Sequence, residues 1–324
     1  MKAFVTGVAG FVGSSIARRL LGHGAEVVGI DSLNPSYARV LKCANLKSLR
    51  SKAFTFVPAD LNDVDLGILD DVDVIYHQAG QPGVRSSWGS EFESYVRNNV
   101  QATQRLLEAV RDSSSLQRFV YASSSSVYGD AERFPTLEAD LPRPMAPYGV
   151  TKLAGEHLVS LYAKNFGVPA LSLRYFTVYG PGQRPDMAFT RFLQAALTGS
   201  EITIFGSGEQ IRDFTYIDDI VSANLLASTS DKTRPGDVVN VSGGSSISVN
   251  DVLTIIAELA GTELNVQRVA RADGDVARTG GACEYAAEVL GWQSTVTIRE
   301  GLKRQLEWLR STQDVWTALT LNKP

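Results

Sequence analysis

Three glycines, Gly7, Gly10 and Gly13, fall three residues apart between a short apolar run, Lys2 to Thr6, and a segment of helical periodicity, Ser14 to Leu21. The order is strand, glycine turn, helix, and it limits what the rest of the chain can build. Glycine lets the backbone turn sharply and approach a ligand closely. Amides at a helix start have no partner within the helix, and the helix dipole adds positive character there, so such a turn suits a pyrophosphate.

A second strand, Glu26 to Ile30, ends in Asp31. An acid at about 20 residues past the glycines is where a Rossmann unit binds the adenosine ribose hydroxyls, and its charge repels a 2′-phosphate. NAD is therefore the expected cofactor. Further strands are predicted at Thr55 to Pro58, Val72 to Gln78, Arg118 to Ser123 and Ala170 to Tyr175, with helical stretches from about Phe92 to Val110 and from Tyr148 to Phe166. Alternation of this kind predicts an α/β fold built on a Rossmann-type doubly wound parallel sheet. After Tyr175, prolines and glycines punctuate shorter segments before helices return at Val249 to Ala260 and Ile298 to Arg310. The expected organisation is an NAD-binding domain over residues 1–176 and a smaller C-terminal substrate-binding α/β domain over 177–324. Residues from about 214 to 241 are expected to return to the first.

At 324 residues the chain can bury a large core, and 20% charged with 44% hydrophobic residues is ordinary for a globular enzyme. A formal net charge of −4 offers no positive field for nucleic acid or a membrane surface. Cys43 and Cys283 match no metal spacing and read as reduced thiols. The chain opens directly on a strand, and no apolar run is long enough for a bilayer, so a cytoplasmic protein is expected.

Tyr148 and Lys152 stand four apart in Tyr148-Gly149-Val150-Thr151-Lys152, which puts a phenol and an ammonium on one helical face. A cation beside a phenol favours phenolate and makes a base usable near neutrality. Such a pair can take a proton from an alcohol. Loops at the carboxyl ends of the strands should carry the remaining chemistry. One is Ala79-Gly80-Gln81-Pro82-Gly83-Val84-Arg85; another is the run Ser123-Ser124-Ser125-Ser126 before Val127-Tyr128-Gly129, a set of candidate donors to a substrate oxygen.

Together these residues resemble the extended short-chain dehydrogenase/reductase family, in its NAD-dependent nucleotide-sugar epimerase and dehydratase branch. The resemblance also takes in Asp60-Leu61, Asn99, Arg174-Tyr175-Phe176, Tyr179-Gly180-Pro181 and Gly206-Ser207-Gly208 through Arg212-Asp213-Phe214. It implies that Tyr148 is the base, that Lys152 holds the nicotinamide ribose and lowers the phenol's pKa, and that Ser124 hydrogen-bonds the reacting oxygen. It implies an NAD site formed by Gly7, Gly10, Phe11, Val12, Gly13, Asp31, Asp60, Leu61, Ala79, Gln81, Asn99, Ser123, Tyr148, Lys152 and Tyr175. For the substrate it implies Phe205 and Gly206 against a nucleotide base, with Gln210 nearby and Arg212 at a diphosphate. Arg271 with Asp275, or Arg268, would complete the nucleotide grip. A homodimer is expected.

Within this branch, 4,6-dehydratases carry Asp then Glu after the catalytic Ser or Thr, and decarboxylases carry a Glu before Val-Tyr-Gly. Here those positions are Ser125 and Ser126, so no carboxylic acid stands ready as proton donor. UDP-galactose 4-epimerases usually have Asn after Arg-Tyr-Phe, where this chain has Thr177. Thr177-Val178-Tyr179-Gly180-Pro181, Arg184-Pro185-Asp186-Met187-Ala188 and Gly83-Val84-Arg85 are similar to UDP-glucuronate 4-epimerases. That implies epimerisation of UDP-glucuronic acid to UDP-galacturonic acid through a 4-keto intermediate. Ser125, Ser126 and Thr177, with Arg85 or Arg184, would hold the substrate carboxylate. Alternatives are a UDP-glucose/UDP-galactose 4-epimerase, a UDP-glucuronate decarboxylase, and an NAD-binding regulator without activity.

Overall fold

A computed structural model describes residues 1–270 and 276–312. Strand β1 (Lys2–Thr6) passes through the glycine turn into helix α1 (Phe11–Gly22), followed by β2 (Glu26–Ile30), α2 (Arg39–Lys47), β3 (Phe54–Val57) and β4 (Val74–His77). Then come α3 (Phe92–Tyr95), α4 (Ala102–Val110), β5 (Arg118–Ser124), α5 (Pro147–Phe166) and β6 (Ala170–Tyr175). The rest is β7 (Thr177–Tyr179), α6 (Ala188–Thr198), β8 (Ile202–Phe205), β9 (Ile211–Arg212), β10 (Phe214–Tyr216) and α7 (Ile217–Thr229). These lead to β11 (Val238–Val241), β12 (Ile247–Ser248), α8 (Val249–Ala260), β13 (Val266–Val269), α9 (Glu284–Leu290) and α10 (Ile298–Ser311).

Seven strands form one parallel sheet in the order β11-β6-β5-β4-β1-β2-β3. Beyond their first residues its central strands are buried because helices cover both faces, which is why they read as apolar runs without alternation. The strand order reverses between β1 and β4, whose last residues, Thr6 and His77, lie side by side. A crevice opens at such a switch point, and ligands of open α/β sheets bind there. The later strands make small pairs, β10 with β7, β9 with β12 and β8 with β13.

The predicted helical stretch from Phe92 to Val110 is present over those bounds, but its register changes in the middle. Between α3 and α4 the backbone runs as a π-helical stretch, Val96–Gln101, which shifts the face that Asn98 and Asn99 present. No described helix is long and apolar enough to cross a membrane. Under the serine loop, Arg174 and Glu156 form a buried bidentate pair, Nε to Oε1 at 2.9 Å and Nη2 to Oε2 at 2.8 Å. Arg174 also donates to the Tyr128 hydroxyl at 2.7 Å, and Ser123 donates to Glu156, so this pair ties α5, β5 and β6 together below the site.

Candidate active site

The glycine turn closes against itself. Gly7 has φ +64, a left-handed conformation that side chains rarely adopt, and a Cβ on Gly13 would stand 2.3 Å from the Gly7 carbonyl oxygen. Helix α1 starts at Gly10 with no side-chain cap, and Phe11, Val12 and Gly13 line a cavity of about 730 Å³ at the switch point. Asp31 closes one end, where its carboxylate accepts from the Ala9 N–H at 3.1 Å and the Leu33 N–H at 2.8 Å. Lys42, buried 3.8 Å from Asp31, donates to Asn34 at 3.0 Å, and burial draws its pKa down. Asp60 and Leu61 stand on the same wall; burial works against the Asp60 charge, yet the Asn62 N–H and Arg97 hold its carboxyl below the usual range. A backbone cradle that a methyl group would fill, uncapped amides and a fixed carboxylate fit an NAD-type dinucleotide.

Tyr148 and Lys152 reach the cavity from the first two turns of α5, which Pro147 starts and Gly167 ends in the left-handed conformation. The Lys152 ammonium is buried and donates to the Ala122 carbonyl at 2.8 Å. Burial brings its pKa down to about 8, partly offset by Glu156. Burial also pushes the Tyr148 phenol above its ordinary value, against the pull of its hydrogen bond with Ser124 and of the Arg184 guanidinium. The sequence reading gave Lys152 the part of lowering this pKa. In the structure the lowering influences are those of Ser124 and Arg184. Ser124 lies at the end of β5, and its Oγ accepts from the Ser126 N–H at 3.1 Å, which holds the turn that follows.

Ser123, Ser125, Ser126, Ala79, Gln81, Tyr175, Thr177, Arg85 and Arg184 all line this cavity. Arg184 is fixed by a bidentate pair with Asp186, at 3.0 and 2.7 Å. Arg85 and Thr177 also face a second cavity of about 200 Å³ that Phe205, Gln210 and Arg212 line. The Arg85 guanidinium lies over the Phe205 ring at 4.0 Å, between the two spaces.

Three expected residues stand elsewhere. Asn99 is behind the wall: its Oδ1 accepts from the Gln81 N–H at 2.6 Å, and its Nδ2 donates to the Gln81 carbonyl at 3.1 Å and to Thr151 at 3.0 Å. Its neighbour Asn98 faces the cavity, as the π-helical stretch dictates. Gly206 lines neither cavity and serves the turn after β8 with φ +78. Arg268 donates to the Ser207 carbonyl and to Asn250 on an exposed turn. Arg271 and Asp275 lie outside the described residues. Sequence reasoning missed Tyr37, Lys42, Asn98 and Asp186 on the wall. Of these, Asp186 alone had a signal, as the acid two residues after a candidate arginine.

A model of the NAD dependent epimerase/dehydratase family matches residues 3–242. A solved UDP-glucuronic acid 4-epimerase from Bacillus cereus, in complex with UDP-glucuronic acid and NAD, is 41% identical with a TM-score of 0.93. The match covers 96% of this chain and 99% of that one. An uncharacterized UDP-glucose epimerase of Bacillus subtilis is 42% identical over 96% of this chain and 98% of its own length. A UDP-glucuronate 4-epimerase of Thermodesulfobacterium geofontis is 36% identical over 94% of each.

Proposed function

The chain belongs to the NAD dependent epimerase/dehydratase family, and from that membership we propose that it converts UDP-glucuronic acid to UDP-galacturonic acid by 4-epimerisation. The observation that carries the choice of sugar is the set of uncharged donors, Ser125, Ser126 and Thr177, that line the cavity with Arg184 and Tyr148. A carboxylate needs donors without negative charge; dehydratases of this branch place acids at both serine positions and decarboxylases a Glu at the second.

Bound NAD supplies a reversible hydride sink at C4 of the sugar, so no net oxidation accompanies turnover. Gly7, Gly10, Phe11, Val12, Gly13, Asp31, Asp60 and Leu61 hold the dinucleotide. Tyr148 takes the proton of the C4 hydroxyl and gives it back after the sugar has turned its other face. Ser124 hydrogen-bonds that oxygen throughout, and Lys152, on the same face of α5, offers a donor to the cofactor's nicotinamide ribose. While C4 is a ketone, the sugar is a β-keto acid that loses carbon dioxide if its carboxylate bond aligns with the carbonyl π system. Ser125, Ser126 and Thr177 hold the carboxylate out of that alignment. Arg85, Phe205, Gln210 and Arg212 receive the nucleotide and diphosphate.

The cofactor belongs to a domain of residues 1–176 with about 214–241 added, the nucleotide sugar to the remainder. Val150, Ala154, His157, Leu158 and Leu161 follow helical spacing along α5, and the exposed apolar members Val150 and Leu161, with Phe92 and Val96 nearby, support a homodimer. The enzyme works in the cytoplasm, where unpaired Cys43 and Cys283 stay reduced. Its net negative charge gives nucleic acid no hold.

Purified protein is incubated with UDP-glucuronate and separately with UDP-glucose, without added nicotinamide. UDP-galacturonate is the expected product, and Tyr148→Phe removes about three orders of magnitude of rate while fold and bound NAD survive. Preference for UDP-glucose, or carbon dioxide in step with product, refutes the proposal.

A further inference from the structure

His77 ends β4 fully buried, off the cavity wall, and both its ring nitrogens are engaged: Nδ1 lies 2.8 Å from Thr6 Oγ1 and Nε2 2.9 Å from Thr103 Oγ1. The Thr103 hydroxyl has one hydrogen, and the Asn99 carbonyl, which can only accept, lies 2.7 Å away. With that hydrogen assigned to the carbonyl, Thr103 accepts from the ring and Nε2 is the protonated nitrogen. Nδ1 then accepts from the Thr6 hydroxyl, whose oxygen accepts from the Ala79 N–H at 2.9 Å. The bonds run in one sense from the Ala79 N–H through Thr6, His77 and Thr103 to the Asn99 carbonyl. A second proton would set Nδ1–H against Thr6 and break that sense. Burial, with the Lys152 charge beyond it, keeps the ring neutral and its pKa at about 3.

Asn99 carries the tie onward. Its side chain grips both the N–H and the carbonyl of Gln81 and donates to Thr151, which donates to the Tyr148 carbonyl at 2.9 Å. Ala79 and Gln81 are thus anchored at opposite ends of one hydrogen-bonded set, and the set ends on the turn of α5 that bears Tyr148. Gly80 between them lies directly against both side chains: a Cβ there would stand 2.8 Å from Asn99 Oδ1 and 3.3 Å from Lys152 Nζ.

We propose that His77, as the neutral Nε2–H imidazole, is a positioning residue that keeps the cofactor-side loop Ala79-Gly80-Gln81 in fixed register with the helix bearing Tyr148 and Lys152. It acts through Tyr148 and bound NAD, so this role rests on the function proposed above. The chain has three histidines, few enough to assign in a nitrogen-15 spectrum of the histidine-labelled holoenzyme. His77 should show the neutral Nε2–H tautomer, unchanged between about pH 6 and 8. The opposite tautomer or a charged ring overturns the proposal.

Thr103→Val keeps the shape and strands the Nε2–H, whereas Thr103→Ser keeps both bonds. The valine variant should release NAD about tenfold faster and turn over about tenfold more slowly with KM little changed; the serine variant should stay within about twofold of the parent. Identical behaviour of the two variants refutes the role, and if the valine variant does not fold, the tautomer of the unmutated chain decides. Tautomer and cofactor release need no sugar. A parent protein inactive on UDP-glucuronate therefore refutes the proposed function while these two readouts still judge His77.

Discussion

Lys152 donates from Nζ to the Ala122 carbonyl at 2.8 Å, which anchors a buried ammonium to β5 at the edge of the cavity. Burial lowers its pKa to about 8 from 10.5, so the folded value lies below the unfolded one. Between those two values the unfolded chain binds a proton that the folded chain has released, and the Lys152 contribution to stability rises with pH across that window. The ammonium itself is lost there.

Turnover should therefore fall above about pH 8 while this group's effect on stability runs the other way. Lys152→Met should lose most activity together with that alkaline limb. A pH–rate profile beside thermal unfolding in the same buffers checks it. Activity that stays level through the window would show that the charge of Lys152 is not needed.

Gly13 faces the Gly7 carbonyl so closely that Gly13→Ala has no small adjustment open to it, since the obstacle is backbone. Either the turn or the start of α1 must move. NAD binding should weaken at least roughly a hundredfold, because the uncapped amides of α1 lose their aim, whereas Gly22→Ala, with nothing near its Cβ, should leave binding unchanged. Titration of cofactor-stripped protein with NAD measures both.

The strands were legible wherever burial made them uniformly apolar: β1, β2 and β6 begin and end where the sequence placed them. Helix α7 was missed because its burial extends past the stripe of Ile217, Ile220, Val221 and Asn224 to Asp219, Ala223 and Ser228, so buried polar residues blur the apolar pattern. The cradle could be read because glycine and one acid at fixed spacing leave few other uses. Contributions from loops were harder. Tyr37 stands in the loop after Asp31 and Lys42 on the short helix α2, and only the folded chain brings them beside Arg184 and Asp31. The place of Asn99 depended on a π-helical shift that no residue type announces.

Asp31 and Lys42 together make a prediction about cofactor choice. The carboxylate is held by two backbone N–H groups and repels a 2′-phosphate, while the buried ammonium 3.8 Å away would attract one. Denatured protein should release NAD and no NADP. Asp31→Asn removes the repulsion and leaves Lys42 unopposed, so discrimination against NADP should shrink at least about tenfold. Competition binding of the two dinucleotides tests it, and unchanged discrimination would clear Asp31 of the role.

Thr177 and Ser125 approach the sugar space from β7 and from the serine turn after β5, two elements that β6 and the Arg174–Glu156 pair fix relative to each other. On the proposed function, a C5 carboxylate held between them keeps its bond out of alignment with the π system of a 4-ketone. A neutral donor to a charged acceptor contributes about 1.5 to 3 kcal/mol, so Thr177→Ala with Ser125→Ala should slow turnover of UDP-glucuronate and loosen the carboxylate as well. The intermediate then partitions. Some of it should decarboxylate, giving carbon dioxide and a UDP-pentose that the parent does not make, and the low rate on UDP-glucose should change little. Product analysis with carboxyl-labelled substrate reads both branches at once. Slower epimerisation without carbon dioxide would mean that the two hydroxyls bind the sugar but do not control the angle of its carboxylate.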